Sequence, residues 1–250
     1  MDAQIEPAAG YRAMIDAADP AVFMLETETG HGDRTTMLKV QTMVAAQGDY
    51  VFAEVGSYMG GTLVPHLLDS RCSRVISIDK RPDLQPDERG VSFDYTRSST
   101  AKMIERLRER LPSQCLDKLQ TFDCDASDLL DTALQPIDMC FIDGEHTNKA
   151  AFRDFLSLWK HCKPDCIILF HDANLISDGI CNVEALLDFN GVEYKSYLLP
   201  ELMFAVFIGK YAEASASFVP EAFEKDATFA RYKDELWKGI ARTYAAIGLV

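Results

Sequence analysis

Basic residues are scarce in this chain. Lysine and arginine together number 25 against 39 aspartates and glutamates, a formal charge of −14 over 250 residues. A general nucleic-acid binder needs basic stripes that displace counterions from phosphates, so the charge argues against that class. It argues equally against docking on an anionic lipid surface. Long apolar runs are missing too, with nothing near the ~18 residues of a membrane span. The opening Met-Asp-Ala-Gln-Ile-Glu lacks the basic region and apolar core of a secretory signal. The seven cysteines are scattered without a Cys-x-x-Cys pair, which points to free thiols in a reducing, cytoplasmic setting. His161, Cys162 and Cys166 lie close together, but a helix end beside a buried strand explains them better than a zinc site. What is present is 48% hydrophobic and 26% charged residues, enough for a packed core in place of disorder.

The stretch Val51 to Thr62 organises the rest. Val51-Phe-Ala-Glu-Val55 reads as a buried strand and runs into Gly56, followed by Gly60, Gly61 and the helical spacing of Leu63, Val64, Leu67 and Leu68. Strand, glycine turn and helix make a nucleotide cradle, because glycines admit a ligand close to the backbone and a helix N-terminus offers unpaired N–H groups. The Gly-x-Gly-x-x-Gly fingerprint is absent, with Tyr58 where its second glycine would admit a pyrophosphate. Glu54 would repel a phosphate, so a ligand with a hydroxyl-rich or cationic end fits better. A second strand, Arg74-Val-Ile-Ser-Ile-Asp79, ends in an acid about 20 residues beyond the glycine turn, where a carboxylate can reach a ribose diol. Asp125 follows a short strand at 118–122; it can reach an adenine amine or cap a helix.

A second chemical centre is Phe141-Ile-Asp143-Gly-Glu-His146-Thr, followed one helix later by Leu169-Phe-His171-Asp172. Both begin as apolar strands without alternation, as a parallel sheet covered on both faces requires. The strand–helix alternation from Val51 to Asp172 predicts a doubly wound α/β sheet. Two further strands, 192–198 and 203–208, predict an antiparallel edge hairpin. Residues 1–48 read as a helical cap, 49–210 as the core and 211–250 as a helical tail, all within one domain. Residues 26–33 read as a polar connection or a lid, and residues 81–98 as loop. The tail spacing of Phe229, Tyr232, Leu236, Ile240, Tyr244 and Ile247 predicts an amphipathic helix packed on the domain or on a second subunit, so a homo-oligomer stays open.

With these residues assembled, the chain resembles a class I S-adenosylmethionine-dependent methyltransferase over about residues 50–210. Glu54-Val-Gly56-Ser57-x-x-Gly60-Gly61 is similar to that family's first motif. The resemblance implies a seven-stranded Rossmann-like sheet and S-adenosylmethionine as cofactor. It implies cofactor contacts from Glu54, Gly56, Ser57, Gly60, Gly61 and Thr62, from Asp79 at the ribose, from Asp125 and Ala126 near the adenine, and from Asp143. Asp-Gly-x-His and the later His-Asp resemble a narrower group of metal-dependent O-methyltransferases that act on sugars and natural products, including the sugar O-methyltransferases of macrolide biosynthesis. That likeness implies Asp143 and Asp172 as ligands of magnesium or another divalent cation, His146 as the catalytic base beside Asp143, and a small-molecule acceptor. The group's acidic pair is His171-Asp172 here, so the resemblance puts an imidazole, His171, at a ligand position where magnesium prefers oxygen. Two other classes remain open on the residues: a nicotinamide-dependent oxidoreductase using the same Asp79, and a cofactor-binding scaffold without catalysis.

Overall fold

The structure is a computed structural model that describes residues 5–129 and 134–246. Helices α1 (Ile5–Asp16) and α2 (His31–Ala45) precede β1 (Tyr50–Val55), α3 (Val64–Leu68) and β2 (Cys72–Ile78). A small hairpin, β3 (Leu84–Pro86) and β4 (Ser92–Asp94), leads to α4 (Thr100–Arg110) and β5 (Leu119–Phe122). Then come β6 (Ile137–Ile142), α5 (Asn148–Trp159), β7 (Cys162–Phe170), α6 (Ser177–Phe189), β8 (Tyr194–Leu198), β9 (Phe204–Ile208), α7 (Lys210–Ala214) and α8 (Lys225–Ala246).

The large sheet has seven strands in the order β5-β2-β1-β6-β7-β9-β8. Its first five are parallel, and β9 runs antiparallel to both β7 and β8. This is the doubly wound, Rossmann-like arrangement with an antiparallel edge hairpin that the sequence predicts. Chain order reverses between β1 and β6, and ligands of such sheets sit beyond the carboxyl ends of strands at that point.

The strands feed two cores because successive side chains point to opposite faces. Phe52, Phe141, Leu169 and Ala205 join the cluster containing Met37, Val40 and Val44 of α2. Their neighbours Ala53, Ile142, Ile168 and Val206 join the other cluster, with Phe155 of α5, Ile180 of α6 and Phe229 of α8. With apolar residues needed on both faces, the central strands cannot alternate, and every residue of β1 and β6 is buried.

Three expectations change. The helix after the glycine turn is only one short piece, with Pro65 in its first turn; residues 58–63 form turns and carry no long helix dipole to the cradle. Residues 81–98 are not wholly loop, since β3 and β4 pair across Gln85 and Phe93. The tail helix buries Phe229 and Tyr232 and packs Leu236 partly against the core, whereas Tyr244 is 45% exposed, so the expected apolar face runs into solvent towards its far end. Ile247 lies outside the described residues. Among the described residues no helix is long and apolar enough to cross a membrane.

The first core also holds a titratable group. His66 of α3 stacks on Phe52 with ring centroids 3.6 Å apart, and its Nδ1 lies 3.0 Å from the Tyr50 hydroxyl. Burial pushes its pKa down from 6.5 to about 3. The unfolded chain takes up a proton that the folded chain refuses, so this stabilising contribution is complete above pH 6.5. It is lost as pH falls towards 3, by about 1.4 kcal/mol per pH unit inside that window. Thermal melts between pH 6.5 and 4.5 should therefore decline less steeply for His66→Gln than for the parent. Equal slopes would remove His66 as a source of acid sensitivity.

Candidate active site

Beyond the carboxyl ends of β1, β6 and β7 lies a cavity of about 280 Å³. Glu54, near the end of β1, is fully buried. Its Oε1 accepts a hydrogen bond from the Thr62 hydroxyl at 2.7 Å, while its Oε2 and the buried Ser57 Oγ have no partner. Burial pushes the Glu54 pKa well above the carboxylate range. A buried oxygen without a partner costs free energy, so both atoms await a polar or cationic group.

The glycines of the turn make room for protein. Gly56 has φ +87, and a Cβ there would run into the Asp143 carbonyl and the Cα of Gly144; this contact draws the ends of β1 and β6 together. A Cβ on Gly61 would meet the Glu26 carbonyl and Thr27, so the segment at 26–33 lies directly against the turn. It does more than connect, since Glu26, Thr27, Glu28, Gly30 and Asp33 line the cavity.

Asp79 directly follows β2 and lines the same cavity. Its Oδ2 accepts from the Tyr58 N–H and its Oδ1 from the Arg81 N–H, each at 2.9 Å. The Arg81 guanidinium pairs with Asp79 at 3.1 Å and donates to the Tyr58 carbonyl. Tyr58 and Arg81 both have positive φ, as do Asp172 and Glu201. Such backbone is costly for non-glycine residues and tends to collect at functional sites. Asp125 caps the short 3-10 turn Ala126–Asp128 by accepting from Ser127 N at 3.1 Å, and it pairs with Arg153 at 3.0 Å. Asp125 and Ala126 line a second, small cavity that shares Gly56, Asp79 and Gly144 with the first.

The second chemical centre closes into a chain of alternating carboxylates and imidazoles. Asp33 Oδ2 lies 3.2 Å from His171 Nε2, and His171 Nδ1 lies 3.1 Å from Asp143 Oδ1. The same Asp143 oxygen lies 3.2 Å from His146 Nε2, and His146 Nδ1 lies 3.1 Å from Asp172 Oδ2. Burial pushes the His171 pKa down, but the charge of Asp143 and its hydrogen bonds to Asp143 and Asp33 outweigh this and raise it to about 11. Burial raises Asp143, and the charge of His171 with hydrogen bonds from both histidines brings it down to about 2. The two shifts agree on a His171 imidazolium between two carboxylates. His146 is opposed by burial and still raised, first by its hydrogen bond to Asp143 and then by the charges of Asp143 and Asp172. Asp172 is raised by burial.

The structure thus brings Asp143, His146, His171 and Asp172 together. Both ring nitrogens of His171 face carboxylates, so an ion there would have to displace one of them. The ligand atoms that converge within 4.8 Å of one another belong to Asp143, His146 and Asp172. The sequence reading missed Asp33, which is 2% exposed and also accepts from Leu202 N at 3.2 Å. Its only sequence signal was an acid in the first turn of a helix, which is commonplace. Glu201, which accepts from Gly32 N at 2.8 Å, carried no signal.

A family model described as a methyltransferase domain matches residues 53–173, from β1 to just past Asp172. Among solved structures, that of the O-methyltransferase NovP superposes with a TM-score of 0.61 at 11% identity, covering 80% of this chain and 98% of that one. An O-methyltransferase from Bacillus cereus in complex with SAH gives 0.52 at 14% identity, covering 82% and 91%. CalS11, a calicheamicin methyltransferase, gives 0.52 at 12% identity, covering 83% and 93%. At these identities the structures establish the likeness of fold. No curated protein matches the chain by sequence.

Proposed function

We propose that this chain, an S-adenosylmethionine-dependent methyltransferase of class I fold, methylates a hydroxyl of a small molecule, a sugar or another natural product, with help from a divalent cation. The observation that carries this reading is the Asp143–His146–Asp172 constellation on the wall of the cavity that the cradle opens into. The residues fit the cofactor. Glu54 Oε2 and Ser57 Oγ are buried without partners and suit the cationic amino-acid end, and Asp79 suits the ribose. S-adenosylmethionine supplies a methyl group on a sulfonium, open to in-line attack by an aligned nucleophile. Asp143 and Asp172 offer the oxygen ligands that magnesium prefers, and a divalent cation there would lower the pKa of a bound hydroxyl. His146, held at Nε2 by Asp143, would take the acceptor's proton at Nδ1 once Asp172 is engaged in holding the cation instead of facing that nitrogen. Asp143 orients that imidazole, and Gly56 lets the Asp143 segment approach the cradle. The free thiols of all seven cysteines support a cytoplasmic setting.

Transfer of labelled methyl from S-adenosylmethionine to a panel of hydroxylated small molecules, with and without exhaustive chelation, tests the reading. Turnover that survives chelation undiminished would remove the cation, leaving His146 to act alone. At the cofactor end, Asp79→Asn should weaken S-adenosylhomocysteine by about 1.5–3 kcal/mol, the worth of a charged hydrogen bond, as read by calorimetry. Unchanged affinity in a folded variant would take Asp79 out of the ribose site.

A further inference from the structure

The hairpin β3–β4 belongs neither to the seven-stranded sheet nor to the two cores. Its turn is nevertheless fixed. The buried Asp87 closes it: the Asp87 N–H donates to the Val91 carbonyl at 2.9 Å, and Asp87 Oδ1 accepts from the Arg89 N–H at 2.8 Å. What this turn touches is the segment that carries His146. The Gln85 side chain donates to the Gly144 carbonyl at 2.6 Å. The Glu88 N–H donates to the His146 carbonyl at 2.9 Å, and Glu88 Oε2 accepts from the Asn148 N–H at 2.8 Å. Alternate residues 144, 146 and 148 are thus each tied to the hairpin. Asn148 is also the first residue of α5, so its N–H is one of those that a helix start leaves without an internal partner. A carboxylate there meets the positive end of the helix dipole as well. Glu88 therefore holds the backbone of His146 and the start of α5 at once. It is not among the described residues that line either cavity, so it reaches the site only through this loop.

Resting on the methyltransferase reading, we propose that Glu88 is a positioning residue: by holding the His146 carbonyl and the Asn148 N–H, it fixes the loop that aims the His146 ring into the cavity. Proton transfer needs the base within hydrogen-bond reach of the acceptor. A misplacement of about 1 Å, even from a change far from the chemistry, can cost about 10²-fold.

Glu88→Ala removes the acceptor for Asn148, whereas Glu88→Gln keeps an oxygen in its place. The two variants and the parent are compared by single-turnover transfer of labelled methyl to whichever member of a panel of methyl glycosides and catechols the parent methylates fastest. Calorimetry with S-adenosylhomocysteine and amide hydrogen exchange at residues 144–148 accompany it. Glu88→Ala should lower turnover at least about tenfold, within the range for a misplaced catalytic group, with cofactor affinity at the parent value and faster exchange at Asn148. Glu88→Gln should recover most of the turnover and of the protection. In a His146→Ala background, Glu88→Ala should cost no further turnover, because the group it aims is gone; a general structural defect would cost the same factor in both backgrounds. Parent turnover in Glu88→Ala, an equal loss in both backgrounds, no recovery in Glu88→Gln, or unchanged exchange at Asn148 would overturn the proposal. A parent protein that binds no S-adenosylhomocysteine or methylates none of the panel would instead overturn the reading beneath it, and the exchange comparison would still decide whether Glu88 holds the loop.

Discussion

His146→Ala should lower turnover by about 10²–10⁴-fold, the usual contribution of a positioned acid or base, while S-adenosylhomocysteine binding stays at the parent value. The second half follows from geometry. His146 touches Asp143 and Asp172, and neither Glu54, Ser57 nor Asp79 depends on it. The pH profile gives a separate readout. Burial opposes protonation of His146, but the hydrogen bond to Asp143 and the charges of Asp143 and Asp172 win and raise its pKa above 6.5. A base must be deprotonated, so in chelator the rising limb of turnover should lie above pH 6.5. A divalent cation on Asp143 and Asp172 takes up the negative charge that holds the imidazolium, so adding metal should move the limb to lower pH. The assay is single-turnover methyl transfer across pH, with metal removed and restored. Loss of cofactor affinity together with turnover in His146→Ala would mean that the histidine shapes the cavity, and a limb unmoved by metal would separate His146 from any cation site.

Much of this arrangement was legible in the sequence, for a physical reason. Strands buried on both faces are largely apolar without alternation, so β1, β6 and the second half of β7 announce themselves, and the polar residues just beyond β6 and β7, Asp143, His171 and Asp172, stand out. The glycine turn was legible as a turn, but its purpose was not. Whether a missing Cβ makes room for a ligand or for a neighbouring carbonyl depends on what the fold brings opposite, and opposite Gly56 is the Asp143 backbone. Asp33 was hidden for the same reason. Its partners His171 and Leu202 come from distant parts of the chain, and no local pattern separates a buried acid at a helix start from a solvated one. The tail misled in the opposite direction: the spacing of Tyr232, Leu236 and Tyr244 correctly gave a helix, yet helical periodicity does not say how far along its length a neighbour covers the apolar face.

His171→Glu distinguishes the two roles open to His171. As a metal ligand, the substitution replaces nitrogen with the oxygen that magnesium prefers, and magnesium affinity should rise with stability preserved. As an imidazolium between the carboxylates of Asp33 and Asp143, it replaces a positive charge with a negative one beside both of them. His171 is 6% exposed, and both its ring nitrogens lie within 3.2 Å of a carboxylate oxygen, so the second outcome is expected. Breaking a buried pair by removing one partner costs about 3–5 kcal/mol. For a chain of this size that lowers the melting temperature by roughly 10 °C or more. Adding Asp33→Asn to the same chain should restore part of the loss by removing one of the crowded negative charges, although Asp33→Asn alone should destabilise by taking a carboxylate from the intact imidazolium. That change of sign between the two backgrounds is a coupling that a double-mutant cycle reads directly. Thermal melts of the four proteins, each with and without magnesium, decide the matter. A His171→Glu protein that melts like the parent and binds magnesium more tightly would make His171 a ligand position after all.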